Sequence, residues 1–226
     1  MTSGSVRIKI IIPNSVSADV AADCLTPEEK SRAARFHFPR DAIHWAACRA
    51  ALRQILGEEI GMKPVEVPLI FSEFGKPLLA PPFDSIHFNL SHCPDLAIVA
   101  LGNDGPLGVD IESTSRASEL LGCENSFCHP EEIRSLSADP DARAVQLLRI
   151  WTAKEALLKA LGTGLSQPPE EVQIVFGELN AVASSSQSLA GIEQQLIWGL
   201  ENPVFNGYRV AVSAPSCSTT IQITHF

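Results

Sequence analysis

Two acidic segments carry the residues best suited to chemistry. The first, Leu107-Gly108-Val109-Asp110-Ile111-Glu112, sets two carboxylates two residues apart. In a strand, residues i and i+2 share a face, so Asp110 and Glu112 stand side by side while Val109 and Ile111 turn to the core. Adjacent carboxylates repel unless a proton or a cation lies between them. A hard divalent ion meets that need, and Mg²⁺ typically takes one or two carboxylates together with substrate phosphates. The second segment, WTAKEALLKAL from Trp151 to Leu161, reads as a helix with Glu155 and Lys159 at i, i+4. Leu147, Ile150, Trp151, Leu157, Leu158 and Leu161 spread around that helix, so it is largely buried. A carboxylate one turn beyond Trp151 needs a partner there, and a metal ion would supply one. Each segment also has an ordinary reading: a solvent-facing strand edge for the first, a weak exposed ion pair for the second.

Basic and polar residues that could face such a site lie upstream. Phe74-Gly75-Lys76-Pro77 is a tight turn that projects Lys76, either as a plain turn or as a phosphate clamp. Phe88-Asn89-Leu90-Ser91-His92 alternates as a strand and ends in polar side chains. Ser91 and His92 point to opposite faces, so they form no nucleophilic dyad, and the G-x-S-x-G elbow of serine hydrolases is absent. His92 suits a phosphate donor or a structural strand-end histidine. Arg49 and Arg53, preceded by Arg32, Arg35 and Arg40, make the densest basic stretch, read as a solvated face or a phosphate anchor. Gly162-Thr163-Gly164 follows a helix and reads as its C-cap, since phosphate-cradling loops precede helices.

The whole chain limits what these groups can serve. Its net charge of −9 argues against nucleic acid, whose binding depends on a basic face. A phosphate-bearing ligand must therefore be held by local cations or a metal. The six cysteines, Cys24, Cys48, Cys93, Cys123, Cys128 and Cys217, form no C-x-x-C pair and no zinc spacing, and read as small buried hydrophobes in a reducing compartment. The apolar run before Pro13 is too short for a signal or a membrane span, so a cytoplasmic protein is expected.

The elements that must position these residues follow from pattern. Strands are expected at Val6–Ile12, Val67–Phe71, Ile86–Leu90 and Leu96–Leu101, with helices from Thr26-Pro27-Glu28-Glu29 to Phe36 and from an Asp41 cap to Gly57. A second series follows: a strand at Leu107–Glu112, helices at Pro130–Leu136 and Ala142–Leu161, and strands at Val172–Phe176, Gln195–Leu200, Tyr208–Ser213 and Thr220–Thr224. Asn180–Ala190 reads as a polar loop. Strand, helices, then strands thus occurs twice, implying an α+β fold of two similar halves, residues 1–104 and 105–226.

The order of the motifs is more specific than any one of them. G-K-P, F-N-L-S-H, G-V-D-I-E and W-T-A-K-E-A-L-L-K-A-L-G-T-G-L together resemble the Sfp-type 4′-phosphopantetheinyl transferases, from about Thr26 to Leu165. The resemblance implies a pseudo-twofold α+β fold with coenzyme A in the cleft between halves. It implies Asp110, Glu112 and Glu155 as ligands of Mg²⁺, and Lys76, Pro77, Ser91 and His92 as contacts of the coenzyme. Arg49 matches a residue that binds the 3′-phosphate in some members, and Lys159 matches the lysine at the reacting phosphates. Where some relatives carry lysines at the first helix, this chain has Glu29 and Arg32, which leaves the 3′-phosphate anchor open. Glu132 corresponds to a glutamate near the family's metal site.

The implied activity is transfer of phosphopantetheine from coenzyme A to a serine of an acyl, peptidyl or polyketide carrier protein, releasing 3′,5′-ADP, with Glu155 as base. The rivals are a metal-dependent phosphate-ester enzyme that uses water, and a coenzyme- or carrier-binding protein without turnover. A monomer is expected, because two fused halves build the cleft without a second chain. Carrier docking is expected to be largely apolar, given the chain's negative charge.

Overall fold

The structure, a computed structural model, describes residues 5–177, 180–185, 194–198, 203–215 and 220–226. Strand β1 (Ser5–Ile11) leads to helices α1 (Ala18–Cys24), α2 (Pro27–Ala33) and α3 (Pro39–Ile60). A short hairpin of β2 (Leu69–Phe71) and β3 (Pro77–Leu79) follows, then β4 (His87–His92) and β5 (Ala97–Gly102). The second series is β6 (Gly108–Ser113), α4 (Pro130–Ser135), α5 (Pro140–Leu161), β7 (Val172–Phe176), β8 (Asn180–Ser185), β9 (Gln194–Trp198) and β10 (Tyr208–Pro215), closed by β11 (Thr220–His225).

The fold is α+β, in four layers: α3, a sheet in the order β11-β1-β5-β4, a sheet in the order β6-β10-β9-β8-β7, and α5. Strand periodicity builds the layers. Val6, Ile8 and Ile10 of β1 and Ile98 and Ala100 of β5 meet Val109 and Ile111 of β6 and Val210, Val212 and Ala214 of β10 between the sheets. The alternate residues of β5, Ala97, Val99 and Leu101, face Leu52, Ile55 and Leu56 of α3. On the far side, Ala153, Ala156 and Leu157 of α5 pack on Val172 and Ile174 of β7 and Ala211 of β10. Each sheet is thus covered on its outer face by one helix of 22 residues.

Local chemistry explains the helix ends. Thr26 and Glu29 form a reciprocal capping box with Pro27 at the first helical position. Helix α3 starts earlier than the Asp41 cap expected from sequence, because Pro39 already holds helical φ after the extended Phe38. It also runs past Gly57, to the left-handed Gly61. Helix α5 begins at an Asp139 cap and ends at Gly162, whose φ is 76°.

Three further departures concern strands and one helix. Helix α1, capped by Ser17, was not expected. The segment read as a polar loop from Asn180 to Ala190 forms β8 over Asn180–Ser185, paired antiparallel with β7 and β9; residues 186–190 lie outside the described residues, as do 199 and 200 of the strand expected at Gln195–Leu200. The division at residues 104 and 105 does not hold for the last strand. β11 leaves its own half and pairs parallel with β1, from Ser5↔Thr220 to Ile10↔His225, where Ile221 and Ile223 complete the inter-sheet core.

Candidate active site

β6 is the strand on which the site is built. Its Val109 and Ile111 enter the core between the sheets, which turns Asp110 and Glu112 toward α5. Gly108 lets the two elements approach: a Cβ there would run into the Ala156 carbonyl and the Ala160 amide. The strand therefore lies against the backbone of the helix that carries Trp151, Glu155 and Lys159.

β4 adjoins β6 through side chains. Asn89 accepts from the Val109 amide through Oδ1 at 2.8 Å, and Ser91 Oγ accepts from the Ile111 amide at 3.3 Å. The alternation in F-N-L-S-H thus serves to satisfy backbone N–H groups of β6. Ser91 then donates to Asp110 Oδ1 at 2.8 Å and accepts from Lys159 Nζ at 3.1 Å.

Asp110, Glu112, Glu155 and Lys159 line one pocket of about 340 Å³ with Leu90, Ser91, His92, Ile111 and Trp151. Lys159 sits 2.6 Å from Asp110 Oδ1 and 3.9 Å from Glu155 Oε2, so it is anchored across the pocket more than along its own helix. Glu112 accepts from the Trp151 indole at 3.3 Å and from Arg116 Nη1 at 2.8 Å. Burial, with Asp110 and Glu112 nearby, pushes the Glu155 carboxyl above the usual range, against the pull of Lys159. Asp110 is buried, and its Oδ2 has no hydrogen-bond partner. An orphaned buried carboxylate oxygen beside two further carboxylates fits a hard divalent cation. Among the described residues no three His, Cys, Asp or Glu side chains are already gathered as a metal cluster, and Lys159 takes part of that role.

His92 opens onto two further pockets. One of about 160 Å³ is lined by Trp45, Arg49, Pro77, Asn89 and Leu90. Arg49 faces Glu29 at 3.6 Å and lies 5.5 Å from the Trp45 ring centre, and its Nη1 is buried without a hydrogen-bond partner. The other, of about 750 Å³, includes Phe36, Arg40, His44, Trp45, Glu112 and Arg116. His44 Nε2 lies 3.1 Å from His92 Nδ1. Burial, with His44 and Lys159 close by, pushes His92 below its ordinary pKa, against Asp110.

The structure therefore brings Asp110, Glu112, Glu155, Lys159, Ser91 and His92 to one pocket and Arg49 and Pro77 to its neighbour. Two of the residues expected to contact the coenzyme are held by partners within the chain. The single hydroxyl proton of Ser91 goes to Asp110, and the residue is buried. Lys76 directs its ammonium at the carbonyls of Leu107, Lys159 and Ala160, at 3.0, 2.6 and 3.1 Å, and lines none of these pockets. Glu132 is also placed apart from the pocket: it is buried, paired with Lys154 at 2.7 Å, and accepts from the amides of His129 and Ile174. Sequence reasoning missed His44 and Trp45. The one available signal was their i−5 and i−4 spacing to Arg49 on α3.

Comparison with known proteins places the chain among its relatives. The family described as "4'-phosphopantetheinyl transferase superfamily" matches residues 106–213, and that described as "4'-phosphopantetheinyl transferase, N-terminal" matches residues 12–103. The 4′-phosphopantetheinyl transferase HetI of Nostoc sp. is 37% identical over 173 residues, 75% of this chain and 72% of that one. L-aminoadipate-semialdehyde dehydrogenase-phosphopantetheinyl transferase of Mus musculus is 30% identical over 235 residues, 95% of this chain and 75% of that one. The transferase Sfp of Bacillus subtilis is 27% identical, covering 84% of this chain and 82% of its own. Among solved structures, the holo-[acyl-carrier-protein] synthase of Thermotoga maritima aligns with a TM-score of 0.38 at 18% identity, over 48% of this chain and 61% of that one.

Proposed function

This chain belongs to the 4′-phosphopantetheinyl transferase superfamily, and from that premise we propose that it carries out its transfer in the pocket framed by Asp110, Glu112, Glu155 and Lys159. It is a 4′-phosphopantetheinyl transferase that modifies carrier proteins. The donor is coenzyme A and the acceptor a serine of an acyl, peptidyl or polyketide carrier. The observation that carries the site assignment is the unpartnered Asp110 Oδ2 beside Glu112 and Glu155 in a pocket that also holds one cation, Lys159.

Mg²⁺ is the proposed cofactor, held by Asp110, Glu112 and Glu155. When bound, it supplies neutralisation of the diphosphate charge. The remaining roles belong to this chain's own residues. Glu155 accepts the proton of the carrier serine hydroxyl, directly or through water; a carboxyl raised by burial is suited to that task. Lys159 stabilises charge on the reacting phosphates, and His92 donates to the departing 3′,5′-ADP side. Ser91 contributes by orienting Asp110 and Lys159. Arg49 and Pro77 bound the adjoining pocket, where the unpartnered Nη1 suits a phosphate of the coenzyme.

A monomeric, cytoplasmic protein acting without nucleic acid or membrane completes the proposal. The net charge of −9 speaks against nucleic acid, and among the described residues no helix is long and apolar enough to cross a membrane. The test is incubation with coenzyme A and several apo carrier proteins, with and without Mg²⁺. A mass gain of one phosphopantetheine on the carrier serine, dependent on the metal, is expected. No modification of any carrier while coenzyme A is hydrolysed would favour the water-using enzyme.

A further inference from the structure

The ammonium of Lys76 reaches from the β2–β3 hairpin of the first half into the second half. Its three acceptors belong to the two elements that build the site. Lys159 and Ala160 contribute carbonyls from the last turn of α5, and Leu107 contributes the carbonyl just ahead of β6. The last carbonyls of a helix have no partners within it, and the negative end of the helix dipole lies there, so a cation is well placed. The lysine stem is seated as well: a Cβ on Gly162 would lie 3.5 Å from Lys76 Cδ. An ammonium has three protons, and here each faces a carbonyl.

We propose that Lys76 is a positioning residue that ties the C-terminal turn of α5 to the start of β6 and so fixes where Lys159 meets Asp110. One end of this tie lies on the very residue it sets, and the other lies three residues from its target. Lys76 bonds the carbonyl of Lys159 itself, and Leu107 precedes Asp110 by three positions. Gly108 brings the same two elements into backbone contact, so the tie acts where strand and helix already touch. Release of the turn lets Lys159 withdraw from its 2.6 Å contact with Asp110 and from Ser91 Oγ, while the adjoining pocket of Trp45 and Arg49, which Lys159 does not line, keeps its walls. Small errors of placement at a reacting centre are costly in rate.

Only the kinetic half of the test rests on the proposed transfer. Lys76→Met keeps the stem and removes the donors; Lys76→Arg keeps N–H donors that can reach carbonyls. With full-length protein, Lys76→Met is expected to lower kcat about tenfold or more while KM for coenzyme A stays within about twofold. Amide exchange over residues 158–162 should accelerate by about the same factor. Lys76→Arg should recover most of both. A rise in KM, or in the calorimetric Kd for coenzyme A, with kcat unchanged would overturn the proposal in favour of direct phosphate contact. Wild-type kcat and exchange rates in Lys76→Met would overturn it equally. If wild-type protein modifies no carrier, the exchange and calorimetric readings still decide the tie, and the failure belongs to the functional reading. If Lys76→Met does not fold, Lys76→Gln is measured against Lys76→Arg by the same criteria.

Discussion

Lys154 Nζ lies 2.7 Å from Glu132 Oε2, with side chains 1% and 3% exposed, immediately before Glu155 in sequence. The pair is fully surrounded by hydrogen bonds. Lys154 also donates to the carbonyls of Phe127 and Pro169, and Glu132 receives the amides of His129 and Ile174. One residue of α5 is thereby joined to α4, to β7 and to two connecting segments. Removing one member leaves an uncompensated buried charge. Lys154→Ala or Glu132→Ala is expected to cost about 3–5 kcal/mol, read from urea denaturation midpoints. A loss below about 1 kcal/mol would contradict this account of the pair.

Asp110→Asn keeps the shape of the side chain but removes the charge beside Lys159. The fold should persist, because Ser91 can still donate to the amide oxygen. Metal-dependent transfer should fall about a hundredfold or more. The comparison is made by carrier mass shift and by circular dichroism on the same preparation.

Metal binding should depend on pH through Glu155. Its carboxyl is raised above the ordinary range by burial, with Asp110 and Glu112 adding to the rise. A raised pKa means the proton is held to higher pH, and a cation must displace it before using that oxygen. Divalent-ion affinity, measured by calorimetry with Mn²⁺ as a spectroscopic check, is expected to weaken as pH falls from about 8 to about 5.5. Glu155→Gln should flatten that dependence.

Gly108→Ala should damage both fold and activity. The added methyl meets backbone atoms of Ala156 and Ala160, which cannot rotate away as a side chain would. A loss of about 3 kcal/mol or more is expected, at or beyond the upper end of ordinary overpacking costs, with β6 displaced from α5. Thermal melting of the variant provides the measurement.

Much of this was legible in the sequence because it is local. The spacing of Asp110 and Glu112 put both on one face of β6, and the i, i+4 spacing of Glu155 and Lys159 put both over it. Thr26 and Glu29 spelled out their capping box. What escaped depends on distant partners. Nothing in Thr220–His225 says that it will pair with β1 instead of the sheet before it. The alternation in Asn180–Ser185 is carried by small residues and reads as polar, although β7 and β9 both pair with it. Lys76 and Ser91 were legible as polar groups near the site, but their destinations, three carbonyls and one carboxylate, are tertiary facts. Glu155 and Lys159 read as a pair on one helix, whereas Lys159 lies closer to Asp110 than to Glu155.

The return of β11 to β1 has a mechanical meaning for the two sheets. The chain passes between the two large sheets twice: once from β5 to β6, and again from β10 to β11. A body joined by one strap can swing open in many directions. Two crossings, with the shared apolar core between the sheets, bind the layers into one body.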